Sequence, residues 1–559
     1  MTTTAPGVDL QGRSPWSILP PLCLGFFMIM VDTTIVNIAV PTLQAEFDAS
    51  LVTVGWVNSA YLLTFAVLLL VTGRLGDRYG PRPVFVAGLV VFTLASLACG
   101  LAGSVGVLIA ARAVQGIGGA LMTPQTMAMI TRVFPAHKRG AAMGIWGAVA
   151  GVATITGPVL GGLLVETAGW EWIFFVNIPV GFVALWLART RLPALPTHER
   201  SFDVLGVVLS VVGLGLLVFG LQEGAAYSWG TIVGPITVPL VIGAGAVVSG
   251  AFLLWQHHQG DDALLPLRLF LHRNFALANV AGAAVTFAMT GIFFPFTLYL
   301  QQVLGLSPLH AALVGLPGSL ISGVVAPFAG RLSDKVAPKW VVASGFAVLA
   351  VSIGILATQV QPDVDIWRLV VPMLGFGVGT GLVFSPLANV ATSGLDHRTA
   401  GAGAGAFNTN RQVGGVIGSA VVVAALTSRL AVTMPAAAQD VAATLPADVR
   451  EPFVEGFRQA AAEGLGAAGG VFDLPADVPP DVAEQVRAAA QTAVDAGFAT
   501  AAAQTLAVTV LVLVLGVVCA LAMRGGRPDR GVPTGVPTFA DATGHTTTDE
   551  VVATHRDDD

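Results

Sequence analysis

Gly73-Arg74-Leu75-Gly76-Asp77-Arg78 is echoed far down the chain by Gly330-Arg331-Leu332-Ser333-Asp334-Lys335. Each hexapeptide follows an apolar run long enough to cross a bilayer and precedes another. A short charged turn repeated between matching apolar runs marks a duplicated membrane transporter.

Composition agrees. Of 559 residues, 54% are hydrophobic and 11% charged, with mean hydropathy +0.78. A soluble domain carries about 25% charged residues, so this chain has too few to cover a surface facing water. The 66 glycines suit close helix packing in lipid. The formal net charge of -6 carries little meaning, because acids gather in the loops and tail. Cys23, Cys99 and Cys519 fall inside apolar runs and imply no disulfide framework. Met1 to Pro15 is polar, so no cleaved signal peptide is expected.

Fourteen runs of about 20 apolar residues are legible. Six lie at roughly 16–40, 53–72, 84–104, 107–129, 140–164 and 172–190. Two follow at roughly 203–222 and 232–255, and six more at roughly 275–300, 309–330, 339–359, 367–391, 399–427 and 499–523. With the N-terminus cytoplasmic, the inner loops hold fifteen basic residues from Arg74 to Arg398. The short outer loops hold only Arg368. That asymmetry places both termini in the cytoplasm.

The expected fold is therefore an all-α integral membrane protein with helices arranged 6+2+6. Residues 1–15 form a cytoplasmic N-terminal segment and 16–192 the first bundle. An inserted helix pair spans 193–260. The second bundle spans 261–523 and carries an outer loop at 428–498, rich in Ala, Pro and Asp. Within that loop, Glu451 to Gly464 could form a short amphipathic helix. Residues 524–559 read as a disordered cytoplasmic tail.

Ionisable side chains deep in lipid are costly, so each is a functional candidate. Asp32 lies in the first run and Arg112 in the fourth, at depths differing by about 5 Å. They could form an ion pair that locks two helices or share a water-filled site that handles a proton. Pairing favours the carboxylate and burial opposes it. Arg411 lies mid-membrane beside Asn408, Asn410 and Gln412, facing either the cavity or freed backbone carbonyls. Trp56, Tyr61, Phe65, Trp146, Phe287, Phe293, Phe294, Phe296, Tyr299 and Phe407 could supply an aromatic pocket.

Asp32 begins the string Asp32-Thr33-Thr34-Ile35-Val36-Asn37-Ile38-Ala39-Val40-Pro41. Here the chain resembles the fourteen-helix drug:proton antiporters of the major facilitator superfamily. Gly73 to Arg82 looks like the superfamily's loop motif. Leu108 to Ala120, holding Arg112, Gln115 and Gly116, resembles its fourth-helix motif. Gly157-Pro158-Val159-Leu160-Gly161-Gly162, with Gly144 upstream, resembles the fifth-helix antiporter motif, although Ala153 replaces one expected glycine. Trp170 to Pro179, Tyr299 to Gln302 and Asn408 to Gly418 are also similar to the fourteen-helix subgroup.

The resemblance implies the major facilitator fold and export of bulky hydrophobic drugs or antibiotics in exchange for protons, by alternating access. It implies proton coupling by Asp32 and Arg112 and a gate of Asp77, Arg78 and Asp334. The antiporter helix would use Gly157, Pro158, Gly161 and Gly162 for close packing between the two halves. A substrate cavity would involve Asn37, Trp56, Tyr61, Trp146, Phe294, Asn408 and Arg411. It implies a monomer in the bacterial inner or plasma membrane.

No Walker-type loop, metal-ligand spacing or basic nucleic-acid surface appears, and no enzyme is expected. No cofactor is expected, with the proton gradient as energy source and a small amphipathic compound and the bilayer as partners. Two alternatives stay open. One is export of a lipid or native metabolite on the same fold, possible without proton coupling. The other is a transporter-like sensor or scaffold.

Overall fold

The computed structural model describes residues 13–49, 51–195, 197, 203–224, 227, 229–260, 263–333, 335–393, 395, 399–463 and 480–524. After a 3-10 turn at Pro15–Ile18, the first half runs α1 (Leu19–Phe47), α2 (Leu51–Tyr79), α3 (Pro81–Gly100), α4 (Val105–Val133) and α5 (Ala136–Thr167). Its sixth span is broken into α6 (Trp172–Phe175) and α7 (Asn177–Arg191). The inserted pair is α8 (Val204–Glu223) and α9 (Val238–Gln259). The second half runs α10 (Arg273–Gln302), α11 (Pro308–Ser333), α12 (Pro338–Gln359), α13 (Ile366–Ser393) and α14 (Ala400–Ala442), then α15 (Ala447–Glu463) and α16 (Pro480–Ala522). Among the described residues, thirteen segments are long and apolar enough to cross a membrane. The 32-residue α5, packed between α1 and α11, supplies the fourteenth long helix.

The loop repeats sit where the sequence places them, ending α2 and α11 on what we call the basic face. Gly80 has φ 90° and is followed by Pro81 at the start of α3. A side chain at Gly80 would be strained, and proline presets the next helix turn. The outer surfaces stay apolar: Phe182, Trp186, Val208, Val247, Leu254 and Leu511 are all exposed. Apolar exposure on that scale belongs in lipid.

The chain is helical as expected, and strands Thr231–Val233 and Ile236–Thr237 add one short antiparallel hairpin between α8 and α9. The 428–498 segment needs a correction, because its described residues are mostly helix rather than loop. α14 and α16 each have 43 residues, about 65 Å, against about 30 Å of hydrocarbon. Their prolonged ends and α15 share a core containing Leu430, Met434, Ala438, Phe453, Phe457, Val486 and Ala489. Alanine is the strongest helix former, so an Ala-rich polar stretch extends a helix instead of ending it. Residues 464–479 and the tail from 525 onward lie outside the described residues.

The inserted pair leans on α2 and α14. A polar latch holds it at the basic face. Asp203 Oδ1 accepts from Gly206 N (2.7 Å) and Trp255 Nε1 (2.9 Å), and its Oδ2 accepts from Gln256 Nε2 (2.8 Å). Gln256 Oε1 in turn accepts from Leu265 N at 2.9 Å. Asp203→Ala removes all three bonds to that carboxylate, a loss of about 1–3 kcal/mol each when a charged acceptor is involved. We expect a thermal midpoint lower by several degrees in detergent melts; an unchanged midpoint would show that the latch is redundant.

Candidate functional site

Asp32 and Arg112 meet. Arg112 Nη1 donates to Asp32 Oδ2 at 2.5 Å, and both side chains have 0% exposure. Helix geometry completes the cage. Gln115 stands one turn along α4 from Arg112; its Nε2 donates to Asp32 Oδ1 (2.8 Å) while its Oε1 accepts from Arg112 Nη1 (2.7 Å). Asn177, at the start of α7, donates to Asp32 Oδ1 at 3.2 Å and to Ser96 Oγ of α3 at 3.1 Å. Ser96 Oγ donates to Phe174 O at 2.9 Å. Arg112 Nε donates to Val57 O of α2 at 3.0 Å. The guanidinium carbon lies 4.3 Å from the Tyr61 ring and 5.8 Å from that of Phe174. Arg112 Nη2 is buried without a hydrogen-bond partner among the described residues.

This site is neither lipid-facing nor open to the space between the halves. All the residues that close it belong to the first half. A charge pair removed from water is tolerable only when further hydrogen bonds satisfy its remaining atoms, as these do for Asp32.

The antiporter glycines adjoin it. A Cβ on Gly157 would collide with Thr34 Oγ1 and come within 3.2 Å of Val31 O; one on Gly161 would lie 2.8 Å from Ile35 Cγ1. These glycines therefore bring α5 against α1, within the first half, rather than against the other half. Pro158 lies within the same helix. The contact between halves falls earlier in α5. There Gly144 abuts Pro327, Gly147 abuts Ala326 and Ser385, and Gly151 abuts Gly323 and Ser319. Gly162 faces open space. Gly157→Val should thus overpack the α1–α5 contact by about 1–3 kcal/mol and lower the melting midpoint, whereas Gly162→Val should leave it unchanged. Equal effects in the two variants would contradict this assignment.

A second site closes the basic face. Asp77 Oδ1 accepts from Gly401 N (2.9 Å) and Oδ2 from Ala402 N (2.8 Å), placing a carboxylate on the first amides of α14. Such placement satisfies orphan donors and the helix dipole together. Backbones touch closely here, because a Cβ on Gly73 would lie 2.5 Å from Gly401 O. Arg78 is half-buried, its guanidinium carbon 5.4 Å from the Tyr79 ring. The second copy behaves analogously: Gly330 abuts Gly140 O at the start of α5, and Ser385 Oγ donates to the same oxygen at 3.3 Å. Asp334 lies outside the described residues.

The proposed cavity residues are not gathered in one place. Asn37 lies in α1 beyond Asp32. Tyr61 belongs to the Asp32 cage. Trp56 tilts over Phe219 of α8 at 5.6 Å. Trp146 is buried and stacks on Phe26 at 4.3 Å, with no acceptor for Nε1 among the described residues. Phe294 is 39% exposed, and its neighbour Phe293 meets Phe376 edge-on at 6.0 Å. Asn408 Nδ2 lies 3.0 Å from Met127 Sδ across the interface. Among the described residues, Arg411 makes no side-chain hydrogen bond to a backbone carbonyl, and α14 is continuous through it.

Sequence reasoning passed over Gln115, Asn177 and Ser96 as site residues. Gln115 and Asn177 were within the quoted motif strings, and Gln115 is one helical turn from Arg112; Ser96 carries no such signal. It also passed over Glu223, an acid at the end of α8 that is 7% exposed. Asp32 is thus not the only buried acid near the membrane interior.

A family model described as Major Facilitator Superfamily matches residues 22–419. The chain is 48% identical over 456 residues to the uncharacterized MFS-type transporter Rv1250 of Mycobacterium tuberculosis, covering 80% of this chain and 78% of that protein. It is 35% identical over 435 residues to the tetracenomycin C resistance and export protein of Streptomyces glaucescens, covering 77% and 79%. Among solved structures, the human organic anion transporter MFSD10 superimposes with TM-score 0.56 at 12% identity, covering 90% of this chain and all of that one. At that identity the likeness speaks of the fold alone.

Proposed function

Because the chain belongs to the Major Facilitator Superfamily, we propose that it exports bulky hydrophobic compounds, drugs or antibiotics among them, in exchange for protons by alternating access. It is a multi-pass membrane transporter rather than an enzyme, and relatives named for drug and antibiotic resistance support export. The observation that carries proton exchange is the fully enclosed Asp32–Arg112 pair at 2.5 Å.

The basic face is cytoplasmic, as the Lys and Arg distribution favours. Asp77 on α14, and Gly330 on α5, hold the halves together there. The described state is therefore closed on that face. Protonating Asp32 removes the charge that Arg112, Gln115 and Asn177 hold, so the cage loosens. α1 carries Asp32 on one face and meets Gly157 and Gly161 of α5 through Thr34 and Ile35. α5 in turn meets α11 through Gly144 and Gly151. A proton at Asp32 is thus linked to the seam between the halves through two helix contacts, and the closed inner seam becomes free to open. Export then follows rocking of the halves around a central site.

Proteoliposomes enclosing a pH-sensitive dye test this reading. Addition of a transported compound should drive proton movement opposite to the compound. Compound movement with no proton movement would overturn the exchange. The prolonged α14 and α16, joined by α15, favour one further reading, export of a lipid handed off beyond the membrane. It predicts that a lipid, rather than a drug, moves the proton in the same assay.

A further inference from the structure

With Asp32 and Arg112 paired in the first half, the second half as far as Thr427 keeps one charge away from its helix ends among the described residues. From α10 through α13, and in α14 as far as Thr427, every ionisable side chain except Arg411 sits near a helix end. Arg411 has no ion-pair or hydrogen-bond partner for its side chain among the described residues. Its Nε is sealed without an acceptor, yet the residue keeps partial exposure. The exposed part of the side chain therefore lies among α10, α13 and α14, beside Gly282, Phe384 and Phe407.

The stem is held firmly. Thr286 Oγ1 donates to Arg411 O at 2.6 Å, and a Cβ on Gly282 would come 3.1 Å from Arg411 Cγ. The guanidinium carbon lies 4.8 Å from the Phe384 ring and 5.8 Å from the Phe407 ring. Aromatic faces stabilise the cation but leave its donors unused. Arg411 stands about one turn further from the basic face than Asn408, whose contact with Met127 seals the halves. It therefore rises from the floor of the space between them. Trp146 of α5 lies at a similar height, about 15 Å above the basic-face end of its helix, and holds a second buried donor with no acceptor among the described residues.

We infer that Arg411 receives an acidic oxygen, a carboxylate or phenolate, on compounds whose body is otherwise apolar and aromatic. This inference rests on the export reading above and names its substrate class. A guanidinium offers such an oxygen a planar fork of donors. Phe384, partly exposed beside it, offers the compound's rings a stacking face.

Two xanthene dyes test it. Fluorescein carries a carboxylate and a phenolate; rhodamine 6G is esterified and cationic. Fluorescence anisotropy with purified protein in phosphatidylcholine nanodiscs reads binding with no proton gradient, so a failure of proton exchange cannot mimic a failure here. Wild type should bind fluorescein saturably. Arg411→Gln should weaken that binding about tenfold or more, and Arg411→Lys by less, as loss of a charge-assisted pair requires. Rhodamine 6G binding should change less than about twofold, since it offers no acidic oxygen. Competition on the wild type guards against misfolding of a variant: 2-naphthoate should displace fluorescein and its methyl ester should not. Lack of fluorescein binding to wild type, equal loss of both dyes, or equal displacement by acid and ester would overturn the inference. So would displacement by phosphatidylglycerol added to the disc, which would give the site to a lipid headgroup.

Discussion

Asp32→Asn should abolish proton-driven export while the protein still folds and inserts. The amide keeps the shape of the carboxyl group and can still accept from Gln115 or Asn177. It cannot gain or lose a proton at any physiological pH. It also leaves Arg112, with 0% exposure, facing a neutral group. Removing one partner of a buried ion pair costs about 3–5 kcal/mol. Part of that is offset here by Val57 O and the Tyr61 ring, which hold Arg112 independently of Asp32. The expected result in a host lacking other pumps is resistance at the level of the empty vector, with normal protein abundance in the membrane. Export at wild-type rate would remove Asp32 from the coupling.

Asp77→Ala should unlock the basic face. The carboxylate holds two amides of α14 at 2.8–2.9 Å. Charge-assisted bonds contribute about 1.5–3 kcal/mol each, so their loss shifts the closed state by roughly 100-fold or more. Ala404, on the next turn of α14 and fully buried, can report it as Ala404→Cys after Cys23, Cys99 and Cys519 are replaced. Labelling by an impermeant maleimide from the basic face should rise steeply when Asp77→Ala is added. Unchanged labelling would mean that the glycine contacts alone, Gly73 against Gly401 and Gly330 against Gly140, keep the face shut.

The architecture was legible because lipid leaves the sequence few choices. A run of about 20 apolar residues has to be a helix, and charged turns have to lie at its ends. Asp32 and Arg112 stood out for the same reason, as isolated charges in apolar runs. Their company was harder to read. Asn177, Ser96 and Val57 O converge from three helices, and no spacing along the chain brings them together. The glycines of α5 were readable as a close contact but not by direction: Gly144 and Gly151 face α11, while Gly157 and Gly161 face α1. Residues 428–498 misled because Pro and Asp suggested a loop, whereas alanine propensity and the apolar stripe from Leu430 to Ala442 continue α14. Phe294 is an aromatic in an apolar helix, and such residues face outward as readily as inward.

The account turns on a proton held at Asp32 changing hands as the halves move. The most direct measurement is proton release when a transported compound binds purified protein in weakly buffered detergent, followed with a pH indicator for wild type and Asp32→Asn. The wild type should release protons in proportion to compound bound, and Asp32→Asn should release none while still binding. Equal release from the two proteins, or binding by wild type with no release at all, would contradict it.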